Sequence, residues 1–153
     1  MDNELITFTG RSDWALVNSY WAILFHDGIS FDSIHVISTR QEIDDVKKAL
    51  KEVSRNYGFT PSVKLNHLEN DLDVKKPAKV VEEINSEQNN VFINITPAKK
   101  VVASSALIKG IASDVEKIYY LHIDEVSNAS YPYFDIPFSR QDLVELIKGE
   151  VIE

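Results

Sequence analysis

The chain has 153 residues, of which 44% are hydrophobic and 26% are charged, and it contains no cysteine. That length is typical of one globular domain with its own core, so we expect a single domain over residues 1–153. The lack of cysteine excludes a disulfide scaffold and a zinc site with thiolate ligands. The net charge of −8 argues against nonspecific binding of duplex DNA or RNA, which depends on neutralising many phosphates. This net charge is still compatible with a small anionic ligand held by a local cluster of cations.

The sequence gives no sign of export or of membrane insertion. Residues 1–13 lack the basic stretch followed by an apolar stretch that marks a secretory signal. The apolar stretch at residues 14–25 is interrupted by Asn18 and Ser19, and it is too short to span a bilayer. We therefore expect a cytoplasmic protein that has no membrane partner.

Strand-like and helix-like segments alternate along the chain. Runs of β-branched and aromatic residues predict five strands, at residues 4–9, 33–38, 62–67, 90–95 and 117–123. The spacing of apolar residues and the helix-capping residues predict four helices between them, at residues 13–27, 41–57, 77–87 and 97–109. Nearer the C-terminus we expect a short sixth strand at residues 133–136 and a last helix at residues 139–148.

Capping residues predict where the first and fourth helices begin. Ser12 or Asp13 can cap the first helix, because both side chains carry an oxygen that accepts a hydrogen bond from a first-turn N–H. Thr96 can cap the fourth helix in the same way, with Pro97 at the first helical position and Gly110 ending the helix.

The alternation of strands and helices predicts an α/β domain, a Rossmann-like three-layer sandwich with a mostly parallel sheet. The strand at residues 90–95 is the most apolar, as expected for the middle of a parallel sheet. Residues 62–67 alternate between apolar and polar, as expected near an edge. We predict the strand order 3-2-1-4-5, with a short strand added at one edge.

Two segments are expected to meet where this strand order reverses. In such sheets, ligands bind outside the carboxyl ends of the strands at that point, here between the first and fourth strands. The segment after the first strand is Thr9, Gly10, Arg11, Ser12 and Asp13. The segment after the fourth strand is Thr96, Pro97, Ala98, Lys99 and Lys100.

The second segment stands out by its charge. Residues 88–113 contain no acidic residue but include Lys99, Lys100 and Lys109. Two lysines beside the free amides of a helix N-terminus favour an anion site, and Arg11 and Ser12 can add hydrogen bonds to a phosphate. The alternatives are that the lysines are solvated surface residues and that Ser12 is only a helix cap.

Other common sites are not supported. Neither G-x-G-x-x-G nor G-x-x-x-x-G-K-[ST] occurs, so dinucleotide and triphosphate sites of the usual kinds are not predicted. The four histidines are scattered, and no His, Asp and Glu cluster has the spacing of metal ligands. We expect neither a metal nor a cofactor.

Three short segments carry a family resemblance. They are FTGRSD at residues 8–13, NITPAKK at residues 94–100, where the family has a turn of the type D-I-T-G-G-R-K, and YPYFDIP at residues 131–137. On these segments, in this order, the chain resembles the CARF domains of CRISPR defence systems, which bind cyclic oligoadenylates. It departs from the family at Pro97 and Ala98, which replace paired glycines, and at Lys99, which replaces an arginine.

The resemblance implies a homodimer that binds a cyclic oligoadenylate, here cyclic tetra-adenylate, on its twofold axis. Since no R-x4-6-H ribonuclease motif occurs and one domain is expected, it further implies a metal-independent ring nuclease of type III CRISPR defence. Lys100 would then stabilise charge and Ser12 would position the substrate. The ligand-binding residues implied are Thr9, Gly10, Arg11, Asp13, Thr96, Pro97, Ala98 and Lys99. The alternatives are a non-catalytic sensor, sponge or regulatory subunit, and an unrelated domain that binds another phosphorylated metabolite.

Overall fold

A computed structural model describes residues 1–124 and 126–153, the side chains of residues 126 and 127 excepted. Its sheet is built from β1 (Asn3–Phe8), β2 (Ser33–Ser38), β3 (Ser62–His67), β4 (Asn90–Asn94), β5 (Lys117–Ile123), β6 (Gln141–Glu145) and β7 (Glu150–Ile152). The strands lie in the order β3-β2-β1-β4-β5-β6-β7. Those from β3 to β5 are parallel, whereas β6 and β7 are added antiparallel at one edge.

Helices cover both faces of this sheet. They are α1 (Asp13–Asp27), α2 (Asp44–Arg55), α3 (Lys75–Ser86) and α4 (Lys100–Ala112). Buried residues of α1 and α2 pack in one apolar cluster, and those of α3 and α4 pack in a second cluster across the sheet. The predicted Rossmann-like three-layer sandwich is therefore confirmed. The predicted strand order is confirmed as well, including β3 at an edge and β4 in the middle.

Helix α1 begins and ends at residues that the local sequence marks. The Ser12 hydroxyl oxygen accepts a hydrogen bond from the Ala15 amide at 3.0 Å, which confirms Ser12 as the cap. At the other end Gly28 adopts the left-handed conformation, with φ of 64°, which costs glycine no steric strain.

The start of α4 differs from the prediction. Thr96 is not the cap and Pro97 is not in the helix, because residues 95–98 form a turn closed by a 3.1 Å bond from the Ala98 amide to the Ile95 carbonyl. The helix begins at Lys100 and runs through Gly110 to Ala112. Gly110 lies inside it because a β-carbon there would come within 2.7 Å of the Ile93 side chain. This glycine serves close packing on the sheet and does not end the helix.

The predicted structure of the C-terminal part is wrong. Residues 141–145 and 150–152 form a β-hairpin in place of the predicted helix at 139–148, and Tyr133–Asp135 is a short 3-10 helix in place of a strand. The hairpin supplies a partner for the β5 edge, and its residues alternate between buried and exposed as strand residues do. The buried Glu145 carboxylate accepts bonds from the amides of Ile118, Ile147 and Lys148, which fixes the hairpin turn to β5.

None of the helices in the described ranges is both long enough and apolar enough to cross a membrane.

Candidate functional site

The two predicted segments do come together between the carboxyl ends of β1 and β4. The Arg11 amide donates a 3.0 Å hydrogen bond to the Pro97 carbonyl. A β-carbon at Gly10 would lie 3.4 Å from both the Pro97 carbonyl oxygen and Lys99 Cγ, so the two loops are within van der Waals distance of each other at Gly10. The site therefore rests on direct contact between loops that are far apart in sequence. The binding roles of the individual residues stay predictions.

A buried polar network fixes the turn after β4. Asn94 donates from its amide nitrogen to the Ser19 hydroxyl oxygen on α1 at 2.8 Å, and its amide oxygen accepts from the Thr96 amide at 3.2 Å. The Thr96 hydroxyl oxygen accepts a 2.9 Å bond from the Leu121 amide of β5. Thr96 therefore ties the turn to the neighbouring strand, which is why its hydroxyl does not cap α4.

Three adjoining cavities share Arg11. The α4 cavity, of about 500 Å³, is lined by Arg11, Asp71, Leu72, Ala98, Lys99, Lys100 and Val101. The β2 cavity, of about 230 Å³, includes Thr9 to Asp13 and extends to Arg40 beyond the end of β2. The β5 cavity, of about 290 Å³, is lined by Ser12, Thr96, Tyr120, Ala129 and Ser130, among others. All three adjoin at Arg11, just beyond the carboxyl end of β1.

Acidic residues from other segments neutralise several of the site's cations. Lys99 Nζ lies 2.7 Å from Asp71 Oδ2, in the loop before α3. Arg40 bridges two carboxylates, that of Asp13 at 3.1 Å and that of Asp45 at 3.0 Å. Residues 88–113 contain no acidic residue, but acidic residues from other segments pair with their lysines. Asp71 pairs with Lys99, and Glu82 pairs with Lys109.

Two cations at the site differ from the others. Arg11 and Lys100 are exposed, and neither forms an ion pair with any residue in the described parts of the chain. Both line the α4 cavity. We call Arg11 and Lys100 the cation pair. Since ion pairing does not offset its charge, this pair makes the α4 cavity attractive to an anion.

Backbone donors at the site come from α4 more than from the turn before it. The Thr96 amide is bonded to Asn94, the Ala98 amide is bonded to Ile95, and Pro97 has no N–H. At the start of α4, Lys99 makes no side-chain capping bond, so within the described structure no such bond occupies the first-turn amides of this helix. An anion in the α4 cavity therefore faces the positive end of the helix dipole.

The remaining predicted residues have mixed surroundings. Ser12 Oγ is exposed and accepts from Ala15, but a hydroxyl that accepts one bond can still donate its own proton. The Thr9 hydroxyl is bonded to the Ser38 hydroxyl, which also accepts from the Arg40 amide. Asp13 is paired with Arg40 and carries negative charge, so it orients Arg40 and would repel a phosphate that came close.

Arg40, Asp71 and Tyr120 line these cavities but were not predicted from the sequence. Arg40 lies just beyond the carboxyl end of β2, the neighbour of β1, so the position of that strand end could have indicated it. Tyr120 lies in the middle of β5, where no strand-end signal marks it. Asp71 had no comparable signal, because it comes from a polar loop whose path is set by tertiary contacts.

The residues that the structure describes contain no group of three or more histidine and acidic side chains that could hold a metal ion.

Comparisons with known proteins bear on the fold. No family model matches the chain, and no curated protein matches it. Can2 from Sulfobacillus thermosulfidooxidans, solved in complex with cyclic tetra-adenylate, matches with a TM-score of 0.67 at 13% identity. That match covers 97% of this chain and 36% of Can2.

A type III CRISPR defence DNA nuclease activated by cyclic oligoadenylate matches with a TM-score of 0.56 at 16% identity. Here the match covers 100% of this chain and 21% of the nuclease. The chain thus spans little more than a third of the first neighbour and about a fifth of the second. At these identities the likeness establishes the fold alone, an α/β domain with a mostly parallel sheet.

Proposed function

We propose that the chain binds a cyclic oligoadenylate, specifically cyclic tetra-adenylate, as a homodimer in type III CRISPR defence, and cleaves it. The observation that carries the proposal is the cation pair at the point where the strand order reverses, beside the amino end of α4. Two neighbours of the same fold support the choice of anion, because one binds cyclic tetra-adenylate and the other is activated by cyclic oligoadenylate.

Different cavities hold different parts of the ligand. Phosphates lie in the α4 cavity, where Arg11 can offer two parallel hydrogen bonds and Lys100 a compact positive charge. A base enters the β5 cavity, where the half-buried ring of Tyr120 can stack on it. Ser12 lines that cavity next to Arg11 and donates its hydroxyl proton to the sugar-phosphate backbone between base and phosphate.

Two copies of the chain are needed for one ring. Cyclic tetra-adenylate carries four phosphate charges, whereas one copy contributes the two charges of the cation pair. A dimer with a twofold axis presents identical half-sites and brings four such charges to a ligand whose own repeat has the same symmetry.

The proposed cleavage uses no metal, because Lys100 supplies the positive charge and the nucleophile belongs to the ligand. The ribose 2′-hydroxyl loses its proton to water and its oxygen attacks the adjacent phosphorus. The bond from phosphorus to the 5′-oxygen breaks, the 5′-oxygen takes up a proton from water, and the products are a 2′,3′-cyclic phosphate and a 5′-hydroxyl. Lys100 stabilises the negative charge that develops on the phosphoryl oxygens, and Ser12 holds the 2′-hydroxyl in line with the scissile bond.

A second candidate is a binder that does not cleave, such as a sensor, a sponge or a regulatory subunit. One observation favours it: the turn at Thr96 to Ala98 has no N–H left for a phosphorane, since two amides are bonded internally and the third residue is proline. Binding through the cation pair would survive this loss, whereas stabilisation of the transition state would be weaker.

One experiment distinguishes cleavage of the ring from binding without cleavage. The full chain is mixed with labelled cyclic tetra-adenylate in EDTA, and the products are resolved by chromatography. Linear products that end in a 2′,3′-cyclic phosphate support cleavage, and intact ligand retained by the protein supports the binder. No affinity for a cyclic oligoadenylate of any ring size would overturn both and favour a different phosphorylated metabolite.

A further inference from the structure

In the proposed function no part of the ligand occupies the β2 cavity. Phosphates lie in the α4 cavity and a base lies in the β5 cavity, and Arg11 lines all three cavities. A phosphate held by Arg11 joins two nucleotides, and only one of their bases has a place. The volume of the β2 cavity, about 230 Å³, is below the roughly 300 Å³ at which sites for drug-sized ligands begin, so it suits a single base better than a whole nucleotide.

The electrostatics of the β2 cavity differ from those of the α4 cavity. Apart from Arg11, each charged side chain that lines it is already in an ion pair. Arg40 is paired with Asp13 at 3.1 Å, and Lys99 is paired with Asp71 at 2.7 Å. Two of the lining side chains are therefore carboxylates, and they would repel a phosphate. A neutral group that can donate hydrogen bonds fits this cavity better than an anion does.

The polar groups of the β2 cavity suit a base that carries an exocyclic amine. An ionised carboxylate only accepts hydrogen bonds, and that of Asp13 keeps acceptor capacity beyond the two bonds from Arg40. The Thr39 hydroxyl lines the same cavity and can donate to a ring nitrogen. Adenine presents both groups on one edge, an amine that donates beside a nitrogen that accepts. Hypoxanthine has a carbonyl oxygen in place of the amine, and that oxygen would face the carboxylate with no proton between them.

We propose that the β2 cavity binds a second adenine of the ring and that Asp13 selects it by accepting a hydrogen bond from the adenine amine. The inference rests on the proposed function for the identity of the ligand. It places both bases that flank one phosphate, one in the β5 cavity and one in the β2 cavity. Asp13 disfavours phosphate and hypoxanthine in this cavity through the same negative charge.

The binding of two different rings tests the role of Asp13. The probes are cyclic tetra-adenylate and cyclic tetra-inosinate, the same ring with hypoxanthine bases. Wild type is expected to bind the adenylate ring about tenfold more tightly, a modest ratio because the Asp13 side chain is 54% exposed. Asp13→Asn is expected to lower this ratio to about threefold or less, because an amide can donate to the hypoxanthine oxygen as well as accept from the amine. The ratio is the readout, since loss of the negative charge raises the affinity for both rings.

The matched control is Asp45→Asn. Asp45 pairs with the same guanidinium, that of Arg40, at 3.0 Å, but it lies outside the lining of the β2 cavity. The control removes one carboxylate partner of Arg40, as Asp13→Asn does, and leaves the Asp13 carboxylate in place. It is therefore expected to keep the wild-type ratio. An unchanged ratio in Asp13→Asn, or an equal fall in both variants, would overturn the assignment.

A nucleoside separates this inference from the proposed function, because it carries no phosphate. Adenosine at millimolar concentration is expected to shift the backbone amide signals of Asp13 and Thr39 in the NMR spectrum of wild type, and inosine is expected to shift them less. Spectra of the two variants show whether each is folded. If wild type binds neither ring but adenosine shifts these signals, the proposed function fails and the base site stands. If wild type binds cyclic tetra-adenylate but neither the ratio nor the signals respond as expected, the base site fails and the binding function stands.

Discussion

Lys100 is the residue on which the proposed chemistry depends most. It is exposed, it lines the α4 cavity, and its position at the start of α4 adds the helix dipole to its own charge. A lysine that stabilises only the transition state changes kcat, whereas a lysine that merely attracts the ligand changes KM.

We expect Lys100→Ala to lower the rate of ring cleavage by about 10²- to 10³-fold, the usual loss when one charge-stabilising donor is removed. Single-turnover cleavage at saturating protein measures this rate directly. The matched control is Lys48→Ala, an exposed lysine on α2 away from the site, which should cleave at the wild-type rate. Unchanged cleavage by Lys100→Ala, or a loss confined to affinity, would contradict the assigned role.

Asp71 limits the charge that Lys99 offers to a ligand. The pair is half exposed, at 51% for Lys99 and 42% for Asp71, so it contributes little to folding, about 0–1 kcal/mol. We expect Asp71→Asn to bind cyclic tetra-adenylate up to about fivefold more tightly at low salt, because Lys99 becomes available to phosphate. Its affinity should also fall more steeply with salt. Binding titrations of cyclic tetra-adenylate at two ionic strengths measure both effects. The control is Asp142→Asn, an exposed position on β6. Weaker binding by Asp71→Asn would show that Asp71 instead positions Lys99.

His35 on β2 makes stability depend on pH. Burial, assisted by the charge of Lys64, lowers the pKa of His35 to about 4 from the ordinary 6.5. Between these values the unfolded chain binds a proton that the folded chain does not, so stability falls as the pH drops from 6.5 towards 4. Burial raises the pKa of the adjacent Glu4, which acts in the opposite sense and destabilises the fold as the pH rises.

We expect wild type to lose about 1 kcal/mol more unfolding free energy than His35→Gln when the pH is lowered from 7.5 to 5.5. Urea titrations of the two proteins at both pH values measure this difference, and the variant isolates the histidine because Glu4 is common to both. Equal losses in the two proteins would mean that His35 is protonated as readily in the fold as in the unfolded chain.

At the scale of elements, the β6–β7 hairpin depends on one buried carboxylate. Glu145 is 1% exposed and accepts from the amides of Ile118, Ile147 and Lys148 at 2.8–3.0 Å. Glu145→Ala would leave these N–H groups without their acceptor, and burying each unpaired amide costs about 1–3 kcal/mol. We expect a loss of roughly 3 kcal/mol in urea unfolding, a smaller loss for Glu145→Gln, which keeps one acceptor, and none for exposed Glu150→Ala. A smaller loss of unfolding free energy for Glu145→Ala than for Glu145→Gln would contradict this account.

The same hairpin shows why local sequence failed to predict the C-terminal part. Leu143, Leu146 and Ile147 are spaced as on a helix, while Gln141, Leu143 and Glu145 alternate as on a strand. The contacts that decide between the two patterns are non-local: pairing with β5 and the bond from the Ile118 amide to Glu145. In contrast, β1, β2 and β4 are buried on both faces, and each has a short, mostly apolar run between polar segments that predicts a strand without tertiary information.

The amino end of α4 was mispredicted for a related reason. Thr96 followed by Pro97 has the local signature of a helix start. In the fold, however, the Thr96 hydroxyl accepts from Leu121 on β5, so a tertiary bond takes the oxygen that a cap would use. The helix starts four residues after Thr96, at Lys100, which places this lysine in its first turn.

At the scale of the whole molecule, the general position of the site was predictable and its electrostatics were not. Strand order alone brings the loops after β1 and β4 together, and their contact at Arg11 and Pro97 follows from it. The pairing of Lys99 with Asp71 joins two loops with no local relation, so charge counts along the sequence overstated the free charge of Lys99. Only the three-dimensional structure shows that, among the described residues, Lys99 is paired with an acidic side chain and the cation pair is not.

The response of the proposed dimer to salt tests whether its ligand site lies on the twofold axis. If the two Lys100 amines face each other across that axis, salt screens their repulsion and the ligand-free dimer should tighten as ionic strength rises from 0.01 to 0.15 M, where the Debye length shrinks from about 30 to 8 Å. The net charge of −8 on each copy would produce the same trend by general repulsion. Lys100→Ala separates the two causes because it makes the net charge more negative while it removes the local repulsion. We expect this variant to form a tighter ligand-free dimer than wild type at low salt, measured by sedimentation velocity. A weaker dimer would mean that general repulsion dominates and that the two Lys100 side chains lie far apart.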